Sequence, residues 1–207
     1  MTPFSHHRGI AVPLKMSNVD TDQIAPARFL HRKRSEGFAD VLFHDLRHTA
    51  QGDVRAGFPL EDPRFAGADI LLALDNFGCG SSREHAVWAL MDFGIRAVIA
   101  PGFADIFRNN AFLNGLLPII LPESEVWTLI DRATGPAPLE IEIDLPAQQV
   151  ICGRDRFAFA IDAFRKKALL EGLGEIEATL TERPRIDAFE EARRTSAPWL
   201  ATVPQGT

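Results

Sequence analysis

A glycine-containing loop between a buried strand and a helix constrains the fold of this chain most strongly. Residues 68–74 (Ala-Asp-Ile-Leu-Leu-Ala-Leu) form a short apolar run, which is typical of a strand buried on both faces. The loop 76–85 follows, and apolar residues then recur at helical spacing over 86–93. A second apolar run at 97–100 completes a strand-loop-helix-strand unit, which predicts parallel strands and a right-handed crossover. Ligands usually bind where such a loop leaves the carboxyl end of the first strand.

Three chemistries compete for the loop 76–85. A dinucleotide-binding fingerprint requires a third glycine where this sequence has Arg83, and it requires an acidic end on the next strand, which is missing. A hydrolase nucleophile elbow requires a glycine two residues after the serine, which neither Ser81 nor Ser82 has. Anion capture remains, because Arg83 and the N–H groups of a helix N-terminus can together bind a carboxylate or a phosphate.

Residues 81–84 (Ser-Ser-Arg-Glu) also match a capping box, with Ser81 at the N-cap and Glu84 three residues later. Capping alone would explain these two residues. It does not explain the glycines at Gly78 and Gly80 or the arginine inside the helix start. We therefore expect a functional role for the loop, and a capping role can hold as well.

Composition and charge exclude several classes of protein. With 207 residues the chain can bury the core of one domain, and we expect residues 1–200 to form it and 201–207 to be a loose tail. A formal net charge of −6 disfavours a nucleic-acid partner. Because no apolar run could span a bilayer or serve as a signal peptide, we expect no membrane contact. The only cysteines, Cys79 and Cys152, are too few for a disulfide framework or an iron–sulfur cluster, which favours a reducing cytoplasm and no metal on this chain.

Elsewhere the apolar pattern predicts an α/β fold with a central, mostly parallel sheet plus an antiparallel hairpin. Residues 139–145 alternate between apolar and acidic side chains, as a half-exposed strand does, and the hairpin continues through 149–152 and 156–161. Residues 1–9 are interpreted as a frayed terminus, and Pro13 should lie at a sheet edge or a strand end. The other expected strands are 10–14, 116–121 and 176–181, and the expected helices are 40–49, 105–114, 123–133, 162–170 and 186–194.

Two polar segments in the first quarter of the chain each permit two interpretations. Residues 18–26 are rich in Asp and Asn, which favours Asx turns, with a second piece of the active site and Asp22 as a buried, cation-orienting carboxylate as the alternative. The basic run 28–37 is either a solvated face or a source of one cation for an anionic substrate. His44 and His48 lack the glutamate of a zinc-protease motif, so a metal site there is not expected.

Three motifs together carry a resemblance to a known family. Residues 20–26 (Asp-Thr-Asp-Gln-Ile-Ala-Pro), 76–86 (Asn-Phe-Gly-Cys-Gly-Ser-Ser-Arg-Glu-His-Ala) and 100–107 (Ala-Pro-Gly-Phe-Ala-Asp-Ile-Phe) resemble the small subunits of 3-isopropylmalate dehydratase, in the aconitase superfamily. The match extends over about residues 1–200 and includes 159–165 near the C-terminus. The resemblance implies a swivelling β/β/α domain of the aconitase type.

The resemblance also implies the roles of individual residues and of a partner. A large subunit would carry the [4Fe–4S] cluster, so this chain would bind no cofactor of its own. Ser81 would be the catalytic base and Asp22 would orient a neighbouring group. Ser82 and Arg83 would hold the carboxylates of the substrate, and Arg32 lies in the segment where the family recognises the substrate side chain.

The activity implied by the resemblance is a hydro-lyase reaction on a small 2-hydroxy dicarboxylic acid. With its large subunit, the chain would interconvert 2-isopropylmalate and 3-isopropylmalate by dehydration and rehydration in leucine biosynthesis. Two alternatives remain open at this point. One is a subunit of a related hydratase for a substrate such as citramalate or homocitrate, and the other is a non-catalytic anion-binding domain.

Overall fold

A seven-stranded sheet forms the framework of the chain in the computed structural model, which describes residues 1–200. The strands, in chain order, are β1 (His6–Pro13), β2 (Ile70–Leu72), β3 (Ala97–Ala100), β4 (Leu117–Ile120), β5 (Leu139–Asp144), β6 (Gln149–Cys152) and β7 (Asp155–Ala158). Their order across the sheet is β4-β3-β2-β1-β5-β6-β7. The chain divides into two compact units, Met1–Gly172, which contains the sheet, and the part from Leu173 onward.

Helices connect the strands and follow them. The α-helices are α1 (Thr21–Ile24), α2 (His44–Arg47), α3 (Glu84–Phe93), α4 (Asp105–Asn114), α5 (Glu123–Ala133), α6 (Ala163–Glu171), α7 (Glu175–Leu180) and α8 (Arg183–Ser196). Short 3-10 turns occur at Ala27–Phe29, Arg34–Glu36, Ala39–Val41, Pro59–Glu61, Pro63–Phe65 and Pro198–Leu200. No helix within residues 1–200 combines the length and the apolar content needed to cross a membrane.

The central parallel strands β2 and β3 are buried on both faces. Strands β1, β2, β3 and β4 run parallel, with Leu71 paired to Val98 in the middle of the unit predicted from the sequence. Leu71 and Val98 face a core shared with α3 and α4, whereas Ile70 and Ile99 face a second core shared with α5. Because successive side chains point to opposite faces, burial on both sides explains the uninterrupted apolar runs in these strands.

The antiparallel half of the sheet confirms the prediction made from alternation. β5 pairs with β1 from His6↔Asp144 to Ala11↔Leu139. The isoleucines of β5 are buried and its glutamates are exposed, so one face of this strand packs on the second core. β6 and β7 continue the sheet in antiparallel pairing. The predicted α/β class, with parallel strands plus an antiparallel hairpin, is confirmed.

Several element boundaries differ from the sequence-based expectations. Residues 6–9 are not frayed, because they pair with β5 as the first half of β1. Pro13 is the last residue of that strand, one of the two positions expected for it. The expected helix 40–49 is reduced to α2, because Phe43 adopts a left-handed conformation with φ 49°. The expected strand 176–181 is the helix α7, consistent with the high helix propensity of its Glu, Ala and Leu residues. The expected tail, 201–207, lies outside the described residues.

Candidate active site

The loop that follows β2 is paired along one side with the segment leading into α1. The N–H of Gly78 donates to the carbonyl of Val19 at 2.7 Å, and the N–H of Thr21 donates to the carbonyl of Cys79 at 2.9 Å. Asp20 lies opposite Cys79 in an isolated parallel bridge. The Asp-rich segment and the glycine-containing loop, more than fifty residues apart in sequence, are therefore one structural unit.

The other side of the loop is paired with the segment leading into α4. Phe77 donates its N–H to the carbonyl of Gly102 at 3.1 Å and accepts from the N–H of Ala104 at 3.0 Å. Its ring packs edge-on against Phe103 and Phe107, with centroid distances of 6.2 and 5.3 Å. All three motifs that carry the family resemblance thus meet at the carboxyl end of β2, the end of a parallel strand at which α/β sheets bind their ligands.

Two glycines give the loop its shape. Gly78 has a φ of +78°, and a β-carbon at this position would lie 2.2 Å from Cγ of Phe107. Gly80 has a φ of +90°. Because L-residues with a β-carbon rarely adopt these angles, the backbone can turn over the phenylalanine cluster only with glycine at these two positions.

The segment around α1 contains the expected capping by an Asp side chain and, in addition, an ion pair with the site loop. Asp20 caps α1 in a capping box, accepting from the N–H of Gln23 at 2.7 Å and donating its own N–H to Oε1 of Gln23 at 2.9 Å. Asp22 forms an ion pair with Arg83 and so contacts a cationic side chain. Its predicted burial is wrong, since the Asp22 side chain is 53% exposed whereas that of Arg83 is 15% exposed.

The predicted capping box at Ser81 is wrong. Helix α3 begins at Glu84 with Arg83 at the N-cap, and no side chain caps it. Arg83 is extended, with φ −128° and ψ 106°, so the helix starts after the serines rather than between them. The carboxylate of Glu84 instead accepts a hydrogen bond from the side chain of Asn114 at 2.8 Å. Ser81 and Ser82 are exposed and immediately precede Arg83 and a helix N-terminus that no side chain caps.

Arg32 is the one predicted site residue that the structure does not bring to this loop. Its guanidinium contacts Asp40 at 2.6 Å and the carbonyl of Gly37 at 3.2 Å. The hydrogen bond from Arg32 lowers the pKa of Asp40 below its usual value. The described contacts of Arg32 thus lie within its own segment, whereas Asp22, Ser81, Ser82 and Arg83 are clustered through the loop pairing.

The sequence reasoning missed the connection between the 34–38 segment and α3. Asp92 on α3 accepts hydrogen bonds from Arg34 at 2.5 and 2.7 Å and from the N–H of Phe38 at 2.8 Å. Burial raises the pKa of Asp92, but the hydrogen bonds from Arg34 and the Phe38 N–H outweigh this effect and the net pKa is lowered. Asp92 sits within an ordinary amphipathic pattern, so no sequence signal could have identified it.

His85, in the first turn of α3, packs along the helix rather than back toward Ser81. Its ring lies 4.6 Å from that of Trp88 and 5.6 Å from that of Phe38. Burial among these rings lowers its pKa below the usual value, which favours the neutral imidazole. Among residues 1–200, no group of three or more His, Cys, Asp or Glu side chains is arranged to hold a metal ion.

These features define a class of protein. The family model for the aconitase C-terminal domain matches residues 1–124, which include β1 to β4 and all three motifs, and the sheet and its site loop are those of an aconitase-type swivel domain. A second family model, for the C-terminal domain of the 3-isopropylmalate dehydratase small subunit, matches residues 175–203.

Comparison with individual proteins narrows the class. The chain is 50% identical over 202 residues to a 3-isopropylmalate dehydratase small subunit of Paramagnetospirillum magneticum, covering 97% of this chain and 100% of that protein. It is 46% identical to the small subunit of Teredinibacter turnerae over 97% of each chain. A crystal structure of 3-isopropylmalate dehydratase from Methanocaldococcus jannaschii superposes with a TM-score of 0.63 at 28% identity, over 89% of this chain and 99% of the other. The chain belongs to the 3-isopropylmalate dehydratase small-subunit family.

Proposed function

We propose that this chain is the small subunit of a 3-isopropylmalate dehydratase, which with a large subunit interconverts 2-isopropylmalate and 3-isopropylmalate by dehydration and rehydration. The observation that carries the proposal is the site loop, on which the exposed Ser81 and Ser82 adjoin Arg83 and an uncapped helix N-terminus. The names of the full-length relatives support the reaction and the existence of a large partner.

In this proposal Arg83 binds a carboxylate of the dicarboxylic acid substrate. Its ion pair with Asp22 orients the guanidinium, and its low exposure strengthens the pairing with an anion. The hydroxyl of Ser82 donates a hydrogen bond to the same substrate carboxylate. Arg32 extends the substrate-binding set toward the substrate side chain, on a segment that Asp92 ties to α3 through Arg34 and Phe38.

Ser81 acts as the base that removes the proton from the carbon next to a carboxylate, and it returns a proton in the reverse direction. A serine hydroxyl has a pKa far above neutrality in water, so its anion requires strong stabilisation. Arg83 and the backbone N–H groups at the start of α3 provide positive charge and hydrogen-bond donors next to Ser81. Closure of the large subunit over the loop would exclude water and strengthen these interactions.

The [4Fe–4S] cluster does not fit the residues of this chain. Cys79 lies in the site loop and Cys152 in β6, whereas such a cluster takes three or four thiolates. We therefore assign the cluster to the large subunit and derive no step from it. The unpaired state of both cysteines supports a cytoplasmic location. We further propose that the swivel domain extends over residues 1–200 and so comprises the unit Met1–Gly172 and the part from Leu173 to residue 200.

The test is a Ser81→Ala variant purified in complex with the large subunit. Because Ser81 is exposed and does not cap α3, the free energy of unfolding of the variant should differ from that of the wild type by no more than about 0.5 kcal/mol. Its kcat should fall by about 10²–10⁴, the usual contribution of a positioned base. Ser124→Ala, an exposed serine on α5, is the matched control and should retain full activity.

Each competing function predicts a different result from the same preparation. A Ser81→Ala complex that turns over isopropylmalate like the wild type would show that the base is another group. A wild-type complex that dehydrates citramalate or homocitrate faster than isopropylmalate would identify a related hydratase. If the chain assembles with the large subunit but the complex turns over none of these acids, the chain is a non-catalytic anion-binding domain.

A further inference from the structure

Three consecutive residues hold alternate positions of the site loop. Asp20 forms a parallel bridge with Cys79, and Asp22 forms an ion pair with Arg83. Thr21, between them, contacts the carbonyls of Cys79 and Ser81. The side chain of Asp20 caps α1 and that of Asp22 forms the ion pair with Arg83, whereas no role is yet assigned to the side chain of Thr21.

Thr21 donates two hydrogen bonds to carbonyls of the loop. Its N–H donates to the carbonyl of Cys79 at 2.9 Å, and its hydroxyl donates to the carbonyl of Ser81, also at 2.9 Å. The φ of +90° at Gly80 turns the loop away between these two contacts. The N–H of Gln23, further along α1, donates to the capping side chain of Asp20 at 2.7 Å instead of to the loop. The backbone pairing between the α1 segment and the loop ends at Cys79, and the Thr21 hydroxyl supplies the next donor, to the carbonyl of Ser81.

Burial gives this hydrogen bond its importance. Thr21 is 1% exposed, and it is the one buried polar side chain among those that the structure describes. Its Oγ1 lies 3.6 Å from the position that a β-carbon on Gly80 would occupy, so the hydroxyl lies beside the turn at Gly80. A buried hydroxyl without a partner is unfavourable, and so is a carbonyl left without its donor. Each group therefore fixes the other in one orientation.

We propose that Thr21 is a positioning residue, which fixes the backbone of Ser81 in the orientation that directs its side chain to the substrate. The Ser81 carbonyl and its hydroxyl are on the same residue, so rotation of the peptide unit also displaces the hydroxyl. This inference rests on the proposed role of Ser81 as the base. Thr21 itself touches no reacting atom, because its hydroxyl is engaged by the loop backbone.

The first test compares Thr21→Val with Thr21→Ser in complex with the large subunit. Valine keeps the shape of threonine but removes the donor, and kcat should fall about tenfold, the rate equivalent of one lost hydrogen bond. KM should change less than twofold, because Arg83 and Ser82 remain to bind the substrate. Serine keeps the hydroxyl and should restore most of the rate. Thr128→Val on α5, which also removes a hydroxyl bonded to a backbone carbonyl, is the matched control and should leave kcat unchanged.

A second readout reports on the loop without catalysis. Cys79 lies in the loop and is half-buried, whereas Cys152 is buried in β6. Thr21→Val should speed the reaction of Cys79 with a thiol reagent in the isolated chain, as resolved by peptide mapping, while Cys152 is unaffected. Thr21→Ala, which also lacks the hydroxyl, takes the place of the valine variant if that variant does not fold. Unchanged labelling and unchanged kcat in the variant that folds would overturn the proposal, and so would a serine variant as slow as the valine variant.

The double variant Thr21→Val/Ser81→Ala separates this inference from the proposed function. If Thr21 acts through Ser81, the second substitution should cause no further loss of rate in the Ser81→Ala background. An additional tenfold loss there would show that Thr21 acts on another group. If Ser81→Ala alone retains turnover, the proposed base is wrong, while faster labelling of Cys79 would still show that Thr21 holds the loop.

Discussion

Gly78 is the position in the site loop where adding a single carbon should destabilise the protein most. Its φ of +78° strains any L-residue, and a β-carbon would overlap the ring of Phe107 at 2.2 Å. The strain of a left-handed conformation amounts to about 1–2 kcal/mol. Overpacking of a filled core adds about 1–3 kcal/mol, and Phe107 is 2% exposed and packed against Phe77. Gly78→Ala should therefore lower the free energy of unfolding by about 2–5 kcal/mol.

Gly67 provides a control with the same backbone conformation and no neighbour. Its φ is +76°, and nothing lies within 4 Å of the position of its β-carbon. Gly67→Ala should show the backbone strain alone, about 1–2 kcal/mol. The loss of unfolded-state entropy that accompanies any Gly→Ala change is common to both variants and cancels in the comparison. The difference of about 1–3 kcal/mol between the two variants then measures the overlap with Phe107.

Urea denaturation of the isolated chain, followed by circular dichroism, gives both free energies of unfolding. The double variant Gly78→Ala/Phe107→Leu completes the experiment, because a smaller side chain at 107 should relieve part of the overlap. Equal losses for Gly78→Ala and Gly67→Ala would refute the reasoning, since the ring of Phe107 would then yield without cost. An additive double variant would lead to the same conclusion.

Two further changes test the charge and the ionisation of the site. Arg83→Lys should lower kcat/KM of the complex, measured by steady-state kinetics, by about ten- to a hundredfold. The reason is that an ammonium group cannot pair with Asp22 and a substrate carboxylate in the planar geometry of a guanidinium. Unaltered kinetics would show that Arg83 does not bind the substrate. Burial lowers the pKa of His85 below 6.5, so the unfolded chain takes up this proton first and stability should fall as the pH drops below 6.5. His85→Phe should weaken that dependence in urea titrations above and below this pH, and an unchanged dependence would contradict it.

The parallel strands could be predicted from the sequence because a strand buried on both faces has apolar residues at every position. Residues 70–72 and 97–100 have apolar side chains at every position, and both faces of these strands are covered by helices. The alternation in 139–145 was equally informative, since one face of β5 is exposed. The same logic failed at 176–181, where an alternating pattern forms α7, because alternation over six residues is also compatible with a short helix of strong helix formers.

The start of α3 shows why the site was only partly predictable. Capping signals are local, and residues 81–84 match one, but Arg83 is extended and the helix begins at Glu84. Its ion-pair partner, Asp22, lies 61 residues earlier in the sequence. Contacts at this separation leave no periodic pattern, so residue chemistry could suggest the roles of Asp22 and Arg83 but not their pairing. The same applies to Thr21, whose partner carbonyl is 60 residues away.

The segments on the two sides of the site depend on each other for their structure. A helix of four residues such as α1 (Thr21–Ile24) is too short to be stable by itself, since nucleation fixes several residues for few hydrogen bonds. The loop opposite it contains Gly78 and Gly80, which lose the most conformational entropy on folding. Each segment donates hydrogen bonds to the other: Thr21 donates its N–H and its hydroxyl to the carbonyls of Cys79 and Ser81, and the N–H of Gly78 donates to the carbonyl of Val19. Loosening of either segment should therefore disorder both, and the motifs at 20–26 and 76–86 form one unit in which the residues proposed for catalysis are ordered together.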